Sequence, residues 1–557
     1  MTVIARTPPA PATSSRSENG QTPGRRRAGA RGAAGRWGAV AIPWAAALAL
    51  AAMFSALALQ RHARLLTTGY DLGIFEQEVR SYAAGHLPTS LLKGIDYPLL
   101  GDHFSPIVSL LAPLYLVHPG PETLLVGQAV LLALGVAPLA GWAARSLGPG
   151  AAAAVAAAYG LAGGLAHAIA FDFHEIAFAV PLLAFSLTAL GRGRLRAAAL
   201  WAAPLVLVKE DLGLTVTAIG LLIATRAWRT DARGRLRGLA TAAFGAAATA
   251  IETMLVIPAL NPAGGNSYTG QLTPASAAHQ LATLLTDDTR IGTVVALLLP
   301  TAFLALRSPL VLAAIPTLAW RFLSDNPNYW GTSFHYDAVL VPVVTAAFID
   351  GLIRLRRSER PNLAAVGPSL RTWHGRPSPS PSPSPSPSPS PSPSPSPRTW
   401  PGRPSRTATR TGLALAASLA LVLALLPASP LAALVSPAFW APSPHAEAAR
   451  SILDRVPDGS TVAASNSLAP QLTARTEVSL LGILPVDVTR PDYVVADTSI
   501  AQQFPVGGAA LADLAAAAEV SGYHLAARAD GVILLEREPE APPAVLDPSV
   551  VVAKKAR

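Results

Sequence analysis

The sequence predicts a mainly α-helical, polytopic membrane protein of about eleven spans, with a small α/β extracytoplasmic domain at its C-terminal end. First, 51% of the 557 residues are hydrophobic and only 14% are charged, where a soluble protein carries roughly a quarter. Second, apolar runs near the ~20 residues that cross a hydrocarbon core recur along the chain. They are continuous Ala/Leu/Val stretches without period-2 alternation, which selects helices over a membrane barrel. Third, the formal net charge of +10 is concentrated in short Arg bursts between those runs. A positive-inside topology accounts for the bursts and leaves no need for a nucleic-acid partner. With no cysteine in the chain, disulfides, thiolate catalysis and Cys-ligated metals are excluded.

Residues 1–36, rich in Pro, Ser, Gly and Arg, read as a disordered basic cytoplasmic tail. The run from Trp37 to Leu59 is longer than a signal-peptide core and is the first span of a membrane domain covering 37–353. A long outside loop, 60–120, follows. Within it Ser105–Val117 is apolar but interrupted by Pro106 and Pro113, which suits a membrane-surface or re-entrant helix. Further spans fall near 121–143, 149–169, 176–190, 196–208, 212–226, 238–258, 291–306, 309–323, 337–353 and 411–433. With those bounds Arg145, Arg192, Arg194, Arg196, the burst from Arg226 to Arg237, Arg307, and the segment Arg354 to Arg410 all face the cytoplasm.

That last segment, 354–410, holds an alternating Pro-Ser tract from Pro377 to Pro397. Alternating proline supports neither a helix nor a sheet interior, so the segment is an extended, solvated linker. Residues 441–538 have a different texture. His445–Val456 and Leu511–Val520 read as helices, and Thr461–Ala464, Tyr493–Ala496 and Val532–Leu535 as short strands. The stretch 539–557 reads as a disordered tail. No phosphate loop, nucleophile elbow or metal-ligand spacing is present in this domain.

With this topology the outside segments collect the ionisable and aromatic residues. The first loop brings Asp71, Glu76 and Gln77, then Asp102 and His103. Later loops bring Asp172, His174 and Glu175; Lys209, Glu210 and Asp211; and His335, Tyr336 and Asp337. Charge close to a span is costly, so such groups line a polar cavity or pair with one another. Asp71 is the candidate general base, a carboxylate able to take a proton from an acceptor hydroxyl. It is equally an N-cap for the helix that follows. Phe171-Asp172-Phe173-His174-Glu175 offers three oxygen or nitrogen donors in four residues. On a helix, however, 172 and 175 share a face and 174 does not, so this motif alone closes no metal site. A divalent cation is admitted by these clusters but required by none. Lys209 could grip a phosphate, or be neutralised by its neighbouring acids. Glu252 is the one acid inside a span; it fits either proton-coupled transport or an interhelical hydrogen bond.

Asp71-Leu72-Gly73-Ile74-Phe75-Glu76-Gln77, Gly101-Asp102-His103-Phe104-Ser105-Pro106, Phe171-Asp172-Phe173-His174-Glu175, Lys209-Glu210-Asp211 and His335-Tyr336 together resemble a bacterial family of multipass membrane proteins, domain of unknown function 2079. The resemblance covers about residues 40–355 and the outer domain, and it omits the Pro-Ser tract. The layout is similar to the C-type glycosyltransferases: a cytoplasmic N-terminus, a long first outside loop with a catalytic acid, many spans and an outer C-terminal domain. By that likeness Asp71 is the base, and Lys209 or nearby arginines hold the phosphate of a polyprenyl-phosphate sugar. A transporter or lipid flippase with an outward vestibule, and a non-catalytic cell-envelope assembly protein, are the rival expectations.

Overall fold

The computed structural model describes residues 23–266, 273–358 and 406–539. Most of the N-terminal tail, the Pro-Ser tract and the C-terminal tail lie outside the described residues. Helix α1 (Pro23–Ala63) begins inside the expected tail, where Ala and Arg, both strong helix formers, are frequent.

The first loop carries a five-residue π-helical turn, Gly69–Gly73, that runs directly into α2 (Ile74–Ala83). Beyond it, Pro106–Val117 forms a short apolar helix. Leu110, Leu114, Leu116 and Val117 are exposed on it. The bundle continues through α3 (Pro121–Leu147), α4 (Pro149–Gly160), α5 (Gly163–Ala170), α6 (Glu175–Gly191), α7 (Leu195–Leu207), α8 (Leu212–Ala227) and α9 (Ala232–Leu260). It closes with α10 (Pro309–Leu323), α11 (His335–Ser358) and α12 (Arg406–Leu425).

By length and composition, five helices of the described residues can cross a membrane, or six if α4 and α5, bent by 43°, count as one broken span. The structure therefore does not confirm eleven crossings. The segments expected at 176–190, 196–208, 212–226 and 309–323 are apolar helices, but of fewer than 18 residues. The one expected at 291–306 breaks at Pro300, after which Ala302 and Phe303 turn left-handed. Proline removes a helix hydrogen bond and clashes with the preceding turn.

Small residues let α8 and α9 approach closely. A Cβ on Gly220 would stand 2.4 Å from the backbone nitrogen of Ala242, and one on Gly213 2.5 Å from the carbonyl of Gly245. Such contacts replace the hydrophobic drive that is absent between helices in lipid.

The C-terminal domain is a five-stranded sheet in the order β2-β1-β3-β5-β4: β1 (Thr461–Ala464), β2 (Glu477–Leu480), β3 (Tyr493–Asp497), β4 (Tyr523–Ala529) and β5 (Val532–Arg537). Strand β1 runs parallel to β2 and β3, whereas β5 is antiparallel to β3 and β4. Helices α13 (Pro444–Leu453) and α14 (Gly508–Val520) pack against it. The sequence reading missed β2 and β4. The first is four residues long with an exposed Glu477; the second is rich in Ala, a poor strand former. A hairpin signal for β4 was present in Asp530-Gly531, both at positive φ, as a two-residue turn demands.

This domain sits on the first loop. Leu65, Ile74, Leu92, Tyr97 and Leu99 share one buried core with Ala446, Leu468, Ala469 and Leu472. The Arg-rich helix ends of the bundle gather near one another. There Arg356 donates to the carbonyl of Ser146 at 3.1 Å, Arg226 to that of Gly191 at 3.4 Å, and Arg145 is within electrostatic reach of Arg192 and Arg194.

Candidate functional site

Helix α2 and the turn before it divide two environments. Asp71, Phe75 and Glu78 face the bundle, while Tyr70, Ile74, Gln77 and Arg80 face the C-terminal domain. The spacing is that of helix neighbours three and four apart.

On the bundle side, the His174 ring lies over that of His335 with centroids 3.6 Å apart, and Phe171 stacks on both. His174 Nε2 is 3.4 Å from Asp71 Oδ1. Asp71 is one-third exposed, whereas His174 is nine-tenths buried or more. Both nitrogens of His174 and Nδ1 of His335 have no hydrogen-bond partner. Buried polar atoms are nearly always satisfied, so each unpaired one calls for an explanation.

The turn that presents His174 is held by Gln128 and Thr68, which the sequence reading did not single out, together with Asp172. Gln128 Oε1 accepts from the His174 backbone N–H at 2.9 Å, and its Nε2 donates to the Asp172 and Ala168 carbonyls. Asp172 adopts a left-handed backbone (φ 52°), which Asp tolerates better than most residues. Its carboxyl accepts from the Thr68 N–H at 2.9 Å and from the Thr68 hydroxyl at 2.6 Å. Burial first, then the nearby Asp71 charge, pushes the Asp172 carboxyl up to about 7, against the pull of those hydrogen bonds.

Next to this open centre lies a closed one. Lys209 Nζ is 2.5 Å from Glu175 Oε1, and His103 Nδ1 is 2.9 Å from Glu210 Oε1. Glu210 also accepts from the Phe104 N–H at 3.0 Å. Burial works against the Lys209 charge, but Glu175, Glu210 and Asp211 outweigh it and hold the ammonium above its ordinary range. Burial likewise opposes ionisation of Glu210, yet His103 and Lys209 bring it down to about 2. Asp211, more weakly compensated, is pushed up to about 6 by burial. Glu78, unremarked in the sequence, is fully buried beside Glu175 and well above the usual carboxylate range, chiefly from burial.

The remaining candidates are tied into the fold. Asp337 pairs with the fully buried Arg321 at 2.6 Å, and Arg321 also donates to the carbonyls of Tyr329 and Gly331. Tyr336 lies beneath that guanidinium, 5.6 Å from ring centroid to Cζ. Asp102 pairs with Lys93, which stands over the Tyr70 ring at 5.5 Å. Glu76 is buried against the Tyr115 hydroxyl. Gln77 is committed to the protein: Nε2 donates to the Val478 carbonyl at 3.0 Å, and Oε1 accepts from Ser90 and Leu92. Among the described residues no group of three or more His, Asp or Glu is arranged to hold a metal ion.

A cavity of about 310 Å³ opens beside the site, lined by α4, α5, α11 and α12. Val155, Leu161, Val341, Val344, Phe348 and Val422 make its walls, and His167 and Asp337 stand at the polar end. The polar end of the cavity, at Asp337, is therefore two residues from His335. Residues on both sides of the break between α4 and α5 line it.

The model of the family described as predicted membrane proteins (DUF2079) matches residues 61–375 and 399–534, the interruption coinciding with the Pro-Ser tract. No curated protein matches. Among solved structures, ArnT from Cupriavidus metallidurans bound to undecaprenyl phosphate is 15% identical, over 88% of this chain and 99% of that one, with a TM-score of 0.43. Its apo state gives 15% identity, 87% and 97% coverage, and 0.40. Matched over most of its length, the chain belongs to the DUF2079 family of predicted membrane proteins.

Proposed function

We propose that this membrane protein is a glycosyltransferase-like enzyme that moves a sugar from a polyprenyl-phosphate donor to an acceptor at the outer face of the membrane. One arrangement carries this reading: a partly exposed carboxylate meets two buried imidazoles whose ring nitrogens lack hydrogen bonds, and Asp337, two residues after His335, lines the polar end of an apolar cavity inside the helix bundle. That combination suits an amphiphile with a charged head and a hydrocarbon tail. The acceptor hydroxyl gives its proton to Asp71 while its oxygen attacks the anomeric carbon. The C–O bond to phosphate breaks, and the phosphate leaves with the bonding electrons. His174 and His335 supply the unpaired ring nitrogens that a phosphate would meet. Lys209 is committed to Glu175 and is not available for that task. The Arg-rich helix ends, by the positive-inside bias, support a cytoplasmic assignment for their end of the bundle and an extracytoplasmic one for the site and the C-terminal domain.

Purified protein is given radiolabelled polyprenyl-phosphate sugars, wild type beside Asp71→Asn. Transfer by the wild type that is lost in a folded Asp71→Asn variant is the expected result; no transfer from any donor by the wild type overturns the reading. The break between α4 and α5 favours a second reading, transport or lipid flipping, because broken helices at membrane depth are a transporter feature. Movement of a labelled lipid across vesicles that Asp71→Asn leaves intact would favour it.

A further inference from the structure

The C-terminal domain does more than rest on the first loop; it contacts the two residues that precede Asp71. The Asn466 carbonyl accepts from the Gly69 N–H at 2.7 Å, and its side-chain Oδ1 accepts from the Tyr70 N–H at 2.8 Å. A Cβ on Gly69 would lie 2.6 Å from that of Ala469, so only glycine allows this approach. Asn466 follows β1, and Phe504 comes from the segment between β3 and α14. The Phe504 ring meets that of Tyr70 with centroids 4.4 Å apart.

Phe504 remains half exposed despite that contact. Among the described residues of this domain, Val520 and Leu525 are the other large apolar side chains so exposed, and neither touches the first loop's Tyr70. The surroundings of the aromatic pair are polar: Lys93 lies 5.5 Å from the Tyr70 ring centre, Asp102 pairs with Lys93, and the Tyr97 hydroxyl reaches Asp102 at 3.4 Å. A plain domain contact would bury its aromatic ring, and a lipid-facing patch would not be ringed by charge. An aromatic face bordered by polar and charged side chains matches a saccharide, whose C–H face is apolar and whose rim is hydroxylated.

We propose that Tyr70 and Phe504 form a stacking platform that holds an acceptor saccharide ring beside Asp71, so that the C-terminal domain supplies part of the site. This rests on the glycosyltransferase reading for the role of Asp71, but binding of the ring can be measured without transfer. The donor occupies the His174–His335 side, and the acceptor hydroxyl arrives from the aromatic side of the same turn.

The test is saturation-transfer NMR on the full chain in lipid nanodiscs, with methyl β-D-glucopyranoside and methyl β-D-galactopyranoside as probes and cyclohexylmethanol as control. Ring C–H protons of at least one glycoside should receive saturation, falling about five-fold in Phe504→Leu and returning in Phe504→Tyr. Leucine keeps apolar bulk against Tyr70 and removes only the ring face, and an unchanged melting midpoint verifies that the domain stays seated. Equal signals in wild type and Phe504→Leu, a cyclohexylmethanol signal as strong as the glycosides', or no glycoside signal each overturn the platform. Glycoside binding without any transfer sinks the enzyme reading alone; transfer with an unchanged acceptor KM in Phe504→Leu sinks the platform alone.

Discussion

Two groups of charged side chains lie side by side at one pole of the bundle, and they are built on opposite principles. In the closed group, Lys209 meets Glu175 and His103 meets Glu210, with a backbone N–H filling a further lone pair. In the open group, Asp71 is partly exposed, His174 and His335 stack face to face, and three ring nitrogens are unpaired. Buried charges that satisfy one another hold a structure together, whereas buried polar atoms left unsatisfied are tolerated only where binding or chemistry repays them. On the proposed function the contrast gives stability to the first group and chemistry to the second, although the sequence mixes them within the run from Asp172 to Glu175.

The largest effect that would break this division is at Lys209. In Lys209→Met, Glu175 loses its partner and stays buried beside Glu78. Removing one partner of a buried pair costs about 3–5 kcal/mol. Loss of folded protein, or a steep fall in the melting midpoint in detergent, is expected; a stable Lys209→Met protein would move Lys209 into the open group. Asp71→Asn is the complementary change. Its carboxylate is partly solvated, so the melting midpoint should barely move while transfer falls at least ~100-fold, the usual scale for a general base. A variant that loses stability in step with activity would return Asp71 to a structural role.

Gly69→Ala separates position from charge. The added methyl has nowhere to go against Ala469, and overpacking costs about 1–3 kcal/mol. All charges remain, yet the Asp71 turn is pushed off the C-terminal domain. Transfer should fall several-fold with the bundle intact, and protease cleavage between α12 and α13 should quicken. Full activity with a loosened domain would mean that the open group needs no support from the C-terminal domain.

The sequence made parts of this legible and hid others for physical reasons. Apolar runs disclosed the membrane class, because lipid imposes that pattern on the chain itself. Span lengths were hidden: a run such as 291–306 is apolar throughout, but Pro300 and two left-handed residues end its helix. The motif from Phe171 to Glu175 stood out by composition, yet its split between two groups depends on a turn set by Asp172 and Gln128. Gln128 is a lone amide in an apolar run, and that isolation was the available signal. Arg321 was hidden in the same way, since only the fold shows that its guanidinium is fully enclosed by Asp337 and two carbonyls. Nothing in the local sequence of Asn466 or Phe504 points across nearly four hundred residues to Tyr70.

A third kind of charged contact gives the smallest effect and bounds the other two. His445, at the start of α13, places Nε2 3.1 Å from Asp497 and Nδ1 3.0 Å from Asp530, at the solvent edge of the C-terminal domain. Burial opposes its charge, but hydrogen bonds and attraction from both carboxylates outweigh it and raise the imidazole above its ordinary value. A raised folded value means the folded state binds the proton more tightly than the unfolded one. The contribution is therefore complete below the unfolded value near 6.5 and is lost as pH climbs through the folded value. Solvent screening holds it to about 1 kcal/mol or less. Melting midpoints of wild type and His445→Gln should differ most at pH 5.5 and converge by pH 8.5, with transfer unaffected throughout. A gap that persists at pH 8.5 would mean that His445 acts through packing rather than charge, and that even a solvent-edge contact here belongs with the closed group.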